Sequence, residues 1–152
     1  PAKGWMVAVD WERIEYSDIA SAGNPSTNQA PLASANGPGF GWQDVDVWKF
    51  GAQYQVTPEL QVRAGYGKTD NPILSRDVSF NILAPGVMED HYTLGFTYAL
   101  DKTSEISGSY MHAKRNSVTG ASFFNAFAPG MGGNETIEMY QNTLGIAWGK
   151  RW

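Results

Sequence analysis

The chain has 152 residues, no Cys, a formal net charge of −4, and 42% hydrophobic and 13% aromatic residues. That length fits one domain and that composition excludes a disordered chain. The missing Cys excludes disulfides, thiolate zinc sites and thiol catalysis, and an acidic balance without a Lys/Arg cluster argues against a nucleic-acid partner.

Six segments alternate in polarity with period two, the signature of half-buried strands. In chain order, 4–14 puts Trp5, Val7, Val9 and Trp11 on one face and Met6, Ala8, Asp10 and Glu12 on the other. Segment 44–56 sets Trp48, Phe50, Ala52, Tyr54 and Val56 against Val47, Lys49, Gly51, Gln53 and Gln55. Segment 59–67 sets Leu60, Val62, Ala64 and Tyr66 against Gln61, Arg63, Gly65 and Gly67. Segment 90–100 sets Tyr92, Leu94, Phe96, Tyr98 and Leu100 against His91, Thr93, Gly95, Thr97 and Ala99. Segment 104–113 is weaker, with Ile106, Gly108 and Tyr110 opposing Glu105, Ser107, Ser109 and Met111. Segment 137–152 sets Tyr140, Leu144, Ile146, Trp148 and Trp152 against Gln141, Thr143, Gly145, Ala147 and Gly149. No segment shows convincing helical patterning.

Short links at 57–58 and 101–103 alternate with long ones at 17–41, 69–89 and 114–135. In a compact soluble domain three long structureless loops count against the assignment, whereas short periplasmic turns alternating with long extracellular loops are the rule in outer-membrane barrels. With the short turns in the periplasm, Trp48, Tyr66, Tyr92, Tyr110 and Tyr140 fall near the outer strand ends, and Trp5, Tyr54, Tyr98, Trp148 and Trp152 near the periplasmic ends. Two aromatic girdles around an aliphatic band match two headgroup layers. From Tyr140 to Trp152 a strand runs ~40 Å, and a ~45° tilt reduces this to ~28 Å, close to the ~25 Å lipid-facing band. No apolar run approaches the ~18 residues of a membrane-crossing helix, so any crossing is by strands. The sequence therefore predicts an all-β fold of about six antiparallel transmembrane strands; a soluble β-sandwich is the alternative, and it leaves the loop alternation unexplained.

Candidate chemistry is sparse. Asp10 and Glu12 share the inner face, and without a neighbouring nucleophile they read as lumen lining. Lys49 and Arg63, also inward, are candidates to attract an anionic head group or, in preference, to pair with Asp10, Glu12 or Glu105. His91 and His112 have no metal-ligand spacing, no EF-hand, P-loop or GxSxG occurs, and neither a metal, a cofactor nor an enzymatic activity is expected. Two long loops are unusually apolar: 69–89 carries Phe80, Ile82 and Leu83, and 114–135 carries Phe123, Phe124, Phe127 and Met131. Such residues on a surface either line a ligand site or pack over the barrel mouth, and Phe80, Leu83, Phe123, Phe124 and Phe127 are the candidate ligand contacts.

The runs Asp46-Val-Trp-Lys-Phe-Gly-Ala-Gln-Tyr, Val62-Arg-Ala-Gly-Tyr, Asn81-Ile-Leu-Ala-Pro, His91-Tyr-Thr-Leu-Gly, Ser109-Tyr-Met-His and Ala147-Trp-Gly-Lys-Arg-Trp resemble, in this order, the C-terminal part of the FadL/TodX (OMPP1) family of outer-membrane transporters. The resemblance implies a barrel of about 14 strands, in the even-numbered range of such proteins, plugged by an N-terminal hatch. It also implies passive uptake of long-chain fatty acids or other small hydrophobic compounds. Six strands fall below the roughly eight of the smallest single-chain barrels, and open edges are not tolerated in lipid. Residues 1–152, beginning at Pro1 without Met or signal peptide, are therefore expected to be the C-terminal portion of a larger barrel, with the hatch and earlier strands absent. The family's basic residue for a ligand carboxylate lies in a loop equivalent to 17–41, which here contains no Lys or Arg. The resemblance further implies a bacterial outer-membrane location, contact with outer-membrane lipid, and delivery to the barrel assembly machinery through the C-terminal Trp152. A general diffusion porin and a soluble lipid-binding β-protein are the alternative functions; the inward Gly51, Gly65, Gly67, Gly95, Gly145 and Gly149 favour close approach of a plug over an open pore.

Overall fold

The computed structural model describes residues 4–151. It contains one six-stranded sheet in the order β1-β2-β3-β4-β5-β6, every neighbouring pair antiparallel. The strands are β1 (Trp5–Ile14), β2 (Val45–Gln55), β3 (Leu60–Thr69), β4 (Asp90–Ala99), β5 (Ser104–Ala121) and β6 (Asn134–Lys150). Trp152, the expected assembly signal, lies outside the described residues.

Cross-strand register places the alternating apolar sets on one common face. Trp11 opposes Trp48 and Phe50 opposes Tyr66. Ala64 opposes Leu94, Leu94 opposes Tyr110, and Tyr110 opposes Leu144. This face is not a soluble core: Leu144 is 76% and Ile146 77% exposed, and Trp5, Val7, Val9, Phe96 and Trp148 are exposed as well. Aromatic rings mark its two margins. On the long-loop side Trp11–Trp48, Trp48–Phe50, Phe50–Tyr66 and Tyr66–Tyr92 lie 6.3, 6.4, 6.4 and 5.3 Å apart. On the short-turn side Trp5 and Tyr54 lie 4.6 Å apart. Apolar side chains exposed across a whole sheet face carry a large hydrophobic cost in water; the same face is satisfied by hydrocarbon.

The short turns are closed by local side chains. Thr57 Oγ1 accepts the N–H groups of Glu59 and Leu60 at 3.2 and 3.1 Å. Asp101 Oδ1 accepts those of Thr103 and Ser104 at 2.7 and 2.9 Å, the Asx-turn geometry that stops one strand and starts the next.

The last hairpin departs from the sequence expectation. β5 was predicted over 104–113 and the following loop over 114–135; the ladder instead continues to Ala121↔Asn134, leaving a loop of 122–133. The register jumps between Ala113↔Gln141 and Asn116↔Met139, so Lys114 and Arg115 together oppose Tyr140. This β-bulge inverts the side-chain parity, which hides the upper strand from a period-two reading. The loops also hold a short helix, α1 (Ala20–Gly23), and 3-10 turns at 16–18, 75–77, 80–83 and 123–126, too short to carry an amphipathic pattern.

Above the bulge, the parity change turns Val118 of β5 inward beside Ile137 and Met139, which the regular alternation of β6 already points inward, and the three pack with Ile73, Val78, Val87 and Trp42. This small cluster holds the buried apolar residues of the long loops, and it caps the long-loop end of the sheet. The loop 70–89 lies so close to the hairpin that a Cβ at Gly120 would fall onto the Ser75 carbonyl. A Gly120→Ala replacement is accordingly expected to undock this loop, read as faster amide exchange over 70–89 with unchanged exchange in β2–β4.

Candidate functional site: the inner wall and the capped mouth

The face opposite the apolar one is concave and lined largely by small residues. Ala8 opposes Gly51, Gly51 opposes Gly65, Gly95 opposes Ser109, and Ser109 opposes Gly145. Together they bound a concavity of about 640 Å³. Its floor is tightly paired: a Cβ on Gly65 would meet Thr93 Oγ1 at 2.5 Å and one on Gly145 would meet Ser109 Oγ at 2.6 Å.

Polar groups sit above and below this floor. Toward the long loops, Lys49 Nζ lies 3.1 Å from Glu12 and 3.7 Å from Asp10, as expected for a charge facing the lumen. Two carboxylates against one ammonium leave this part of the wall net anionic at neutral pH. Toward the short turns, Arg63 departs from expectation. It makes no ion pair with Asp10, Glu12 or Glu105; it donates instead to Gln53 Oε1 at 3.0 Å, Thr97 Oγ1 at 3.0 Å and Gln61 Oε1. Thr97 and Ser107 Oγ atoms continue the network at 2.8 Å.

The mouth is a docked assembly. Asp77 and Asn81, both fully buried, tie loop 15–44 to loop 70–89. Asp77 Oδ1 accepts from Ser26 N and Oγ at 2.9 and 2.7 Å, and its Oδ2 from Arg76 Nε at 2.9 Å. Asn81 donates to the carbonyls of Phe40 and Asp77 at 2.7 and 2.9 Å and accepts from Trp42 Nε1 at 2.6 Å. Gly41, at φ +68°, brings the chain against the Asp77 carboxylate with no space for a Cβ. A second tie joins loop 70–89 to the tip of the hairpin. Ser79 Oγ accepts Phe123 N–H at 2.8 Å and donates to Glu135, which also accepts from Ser122 Oγ at 2.5 Å.

Those two hydroxyls, Ser122 first and Ser79 second, hold the Glu135 carboxyl below its usual value of 4.5. A carboxylate whose folded value is depressed stabilises the fold above its unfolded value and loses that contribution as pH falls. As pH falls from 4.5 through the lower folded value, the hold of Glu135 on Ser79 is therefore expected to weaken and the 122–133 loop to be released. Faster proteolysis of that loop at pH 4 than at pH 7 by a protease active at both would show it, and a Glu135→Gln variant should lose the difference.

Of the candidate ligand contacts, five gather at this mouth. Phe80 packs on Phe40 with ring centroids 5.3 Å apart, and Phe123 on Phe127 at 5.1 Å; the Ser79–Phe123 bond brings the two loops side by side. Leu83 and Phe127 remain 79% and 73% exposed, and Phe124, Met131 and Ile82 are exposed in the same two loops. Lys49 and Arg63 lie apart from this group, on the inner wall. Asp77, Asn81, Ser26, Ser79 and Glu135 were not singled out from sequence, since partners such as Ser26 and Asp77 are 51 residues apart and carry no local motif. Among the described residues no group of His, Asp and Glu has the arrangement of a metal site.

A lipid-matched outer face, two aromatic margins, a small-residue inner wall and a docked mouth define this sheet as a section of an outer-membrane β-barrel wall. A family model described as outer membrane protein transport protein (OMPP1/FadL/TodX) matches residues 1–147, and the chain belongs to that family, one of transport proteins and not of enzymes. Among solved structures, the toluene transporter TodX of Pseudomonas putida aligns with TM-score 0.62 at 23% identity, over 99% of this chain and 31% of that one. The toluene transporter TbuX of Ralstonia pickettii aligns with TM-score 0.55 at 15% identity, over 97% and 30%. A FadL homologue of Pseudomonas aeruginosa aligns with TM-score 0.60 at 14% identity, over 97% and 33%. The chain thus spans about a third of the length of the structures it matches. No curated protein sequence matches it.

Proposed function

We propose that the intact protein carries small neutral hydrophobic compounds into the cell through the outer membrane, its remaining wall and plug being supplied by preceding segments. The observation that carries this reading is the set of exposed Phe, Leu and Met side chains on the two docked mouth loops, with Phe123 packed on Phe127. Each Phe or Leu side chain covered by a greasy ligand gains roughly 1.5–3 kcal/mol, which suits capture of such compounds from water. Near the mouth, Lys49 is already engaged by both Asp10 and Glu12, and loop 17–41 has no Lys or Arg to hold a carboxylate, so the preference falls on neutral compounds over long-chain fatty acids. Two similar structures are described as toluene transporters, in agreement with that choice. A diffusion porin is disfavoured because the floor of the inner wall, between its charged groups, is lined by Gly, Ala and Ser, which permit close approach of a plug. Delivery through Trp152 to the assembly machinery belongs to the same proposal.

In the full-length protein, Phe123→Asp with Phe124→Asp is expected to slow hydrocarbon uptake several-fold while leaving the heat-modifiable folded barrel intact on gels. Unchanged uptake by correctly inserted protein would reduce the cluster to loop packing and remove the proposal's main support.

A further inference from the structure

The β-bulge in β5 places a feature on the lipid side that transport does not require. A regular strand would send one of Lys114 and Arg115 into the lumen. The bulge sets both opposite Tyr140, at the long-loop margin of the apolar band. Arg115 lies 5.0 Å above the Tyr140 ring and bonds Glu138 at 2.9 Å through Nη1 alone. Lys114 is exposed and follows the His91↔Ala113 pair, which puts it beside the Asp90 end of β4; among the described residues it makes no ion pair. One strand over, Lys68 opposes Asp90 in the ladder. Lys68, Lys114 and Arg115 therefore stand in a row across three strands, about 10 Å wide at ~4.8 Å per strand, level with Tyr140 and just above Tyr66 and Tyr92.

We propose that this row is a binding site for the phosphate groups of the glycolipid that forms the outer leaflet of the outer membrane. This rests on the reading of the long-loop side as extracellular. Aromatic belts mark the headgroup layer, and basic side chains at that level bind lipid headgroups. The acidic neighbours do not block the site. Glu89, which Lys68 meets at 2.6 Å, is also held by Asn116 Nδ2 at 3.2 Å, and Asp90 is held by the Tyr66 hydroxyl at 2.6 Å. Both carboxylates keep a hydrogen bond when the cations turn toward phosphate. Arg115 uses one of its five N–H donors on Glu138, leaving an edge for bidentate phosphate contact. The cluster's three cations are balanced by Glu89, Asp90 and Glu138, so recognition is by short charge-assisted hydrogen bonds at the surface and not by long-range attraction.

The test uses the full-length protein refolded into phosphatidylcholine nanodiscs containing trace bis-phosphorylated lipid A. Binding is read by native mass spectrometry, beside lipid A with its phosphates removed. Lys114→Gln with Arg115→Gln is expected to lower retention of the phosphorylated lipid about tenfold, the loss expected for one or two charge-assisted hydrogen bonds. Lys114→Arg with Arg115→Lys, which keeps both charges, should retain most of it, and the dephosphorylated lipid should bind weakly to every variant. Hydrocarbon uptake by the Gln variants should match the parent protein, which separates failure of this site from failure of the transport reading. Equal retention by parent and Gln variants, or equal binding of the dephosphorylated lipid, would overturn the proposal. Displacement of lipid A by millimolar inorganic phosphate would also overturn it, by making the site one for the free ion.

Discussion

Replacing Leu94 by Arg is expected to destabilise the membrane-inserted full-length protein by about 2–4 kcal/mol, the cost of a cation on the lipid face of a barrel near the midplane. Leu94 lies between Tyr92 and Tyr98 on β4, with Ala64 and Tyr110 as its cross-strand neighbours on the same face. Its side chain is exposed, so no protein contact can shelter the guanidinium. Met111 is the control. It opposes Thr93 and Thr143 on the inner face, where a charge meets the polar lumen; Met111→Arg is expected to cost under half as much. Guanidinium-induced unfolding from lipid vesicles reads both. Equal costs at the two positions would mean that the exposed apolar face does not meet hydrocarbon.

The second large effect is expected at Asp77. Removing this fully buried carboxylate in Asp77→Ala leaves the half-buried Ser26 N–H and Oγ without their acceptor. An orphaned buried donor costs about 1–3 kcal/mol. Arg76, whose side chain is half exposed, rehydrates and adds little. A total of about 3 kcal/mol falls on the docking of loop 15–44 against loop 70–89, and amide exchange in both should rise roughly a hundredfold. The barrel strands should keep their protection, because no β-ladder bond passes through Asp77. Asp77→Asn, which preserves one acceptor oxygen, should lose less. Loss of strand protection together with the loops would show that the cap and the wall unfold as one unit.

These two sites differ in how much of them could be read from the chain. The outer face at Leu94 was legible because lipid imposes a strict alternation, so Tyr92, Leu94, Phe96 and Tyr98 carry their own evidence. So was the Lys49 pairing, since inward parity on neighbouring strands brings Asp10, Glu12 and Lys49 together. The bulge at Lys114 and Arg115 broke the same rule in one step, and the upper part of β5, rich in Gly, Ser and Thr, had no apolar period to restore it. Arg63 was misjudged for a related reason: parity gives the face, yet the nearest acceptors along the ladder are Gln53, Gln61 and Thr97, closer than any carboxylate. The cap was the least legible region. Its fold depends on Asp77, Asn81 and Glu135 satisfying backbone and hydroxyl groups far away in sequence, and a lone Asp or Asn in a loop shows nothing of that.

The choice of a neutral cargo is the claim on which the functional account stands. It is tested most directly by uptake in cells lacking their own transporter and supplied with the full-length protein, comparing a labelled monoaromatic hydrocarbon with a labelled long-chain fatty acid. The account predicts that the hydrocarbon enters faster when the protein is present, that the fatty acid does not, and that excess fatty acid fails to compete. Uptake of the fatty acid with no gain for the hydrocarbon would contradict it.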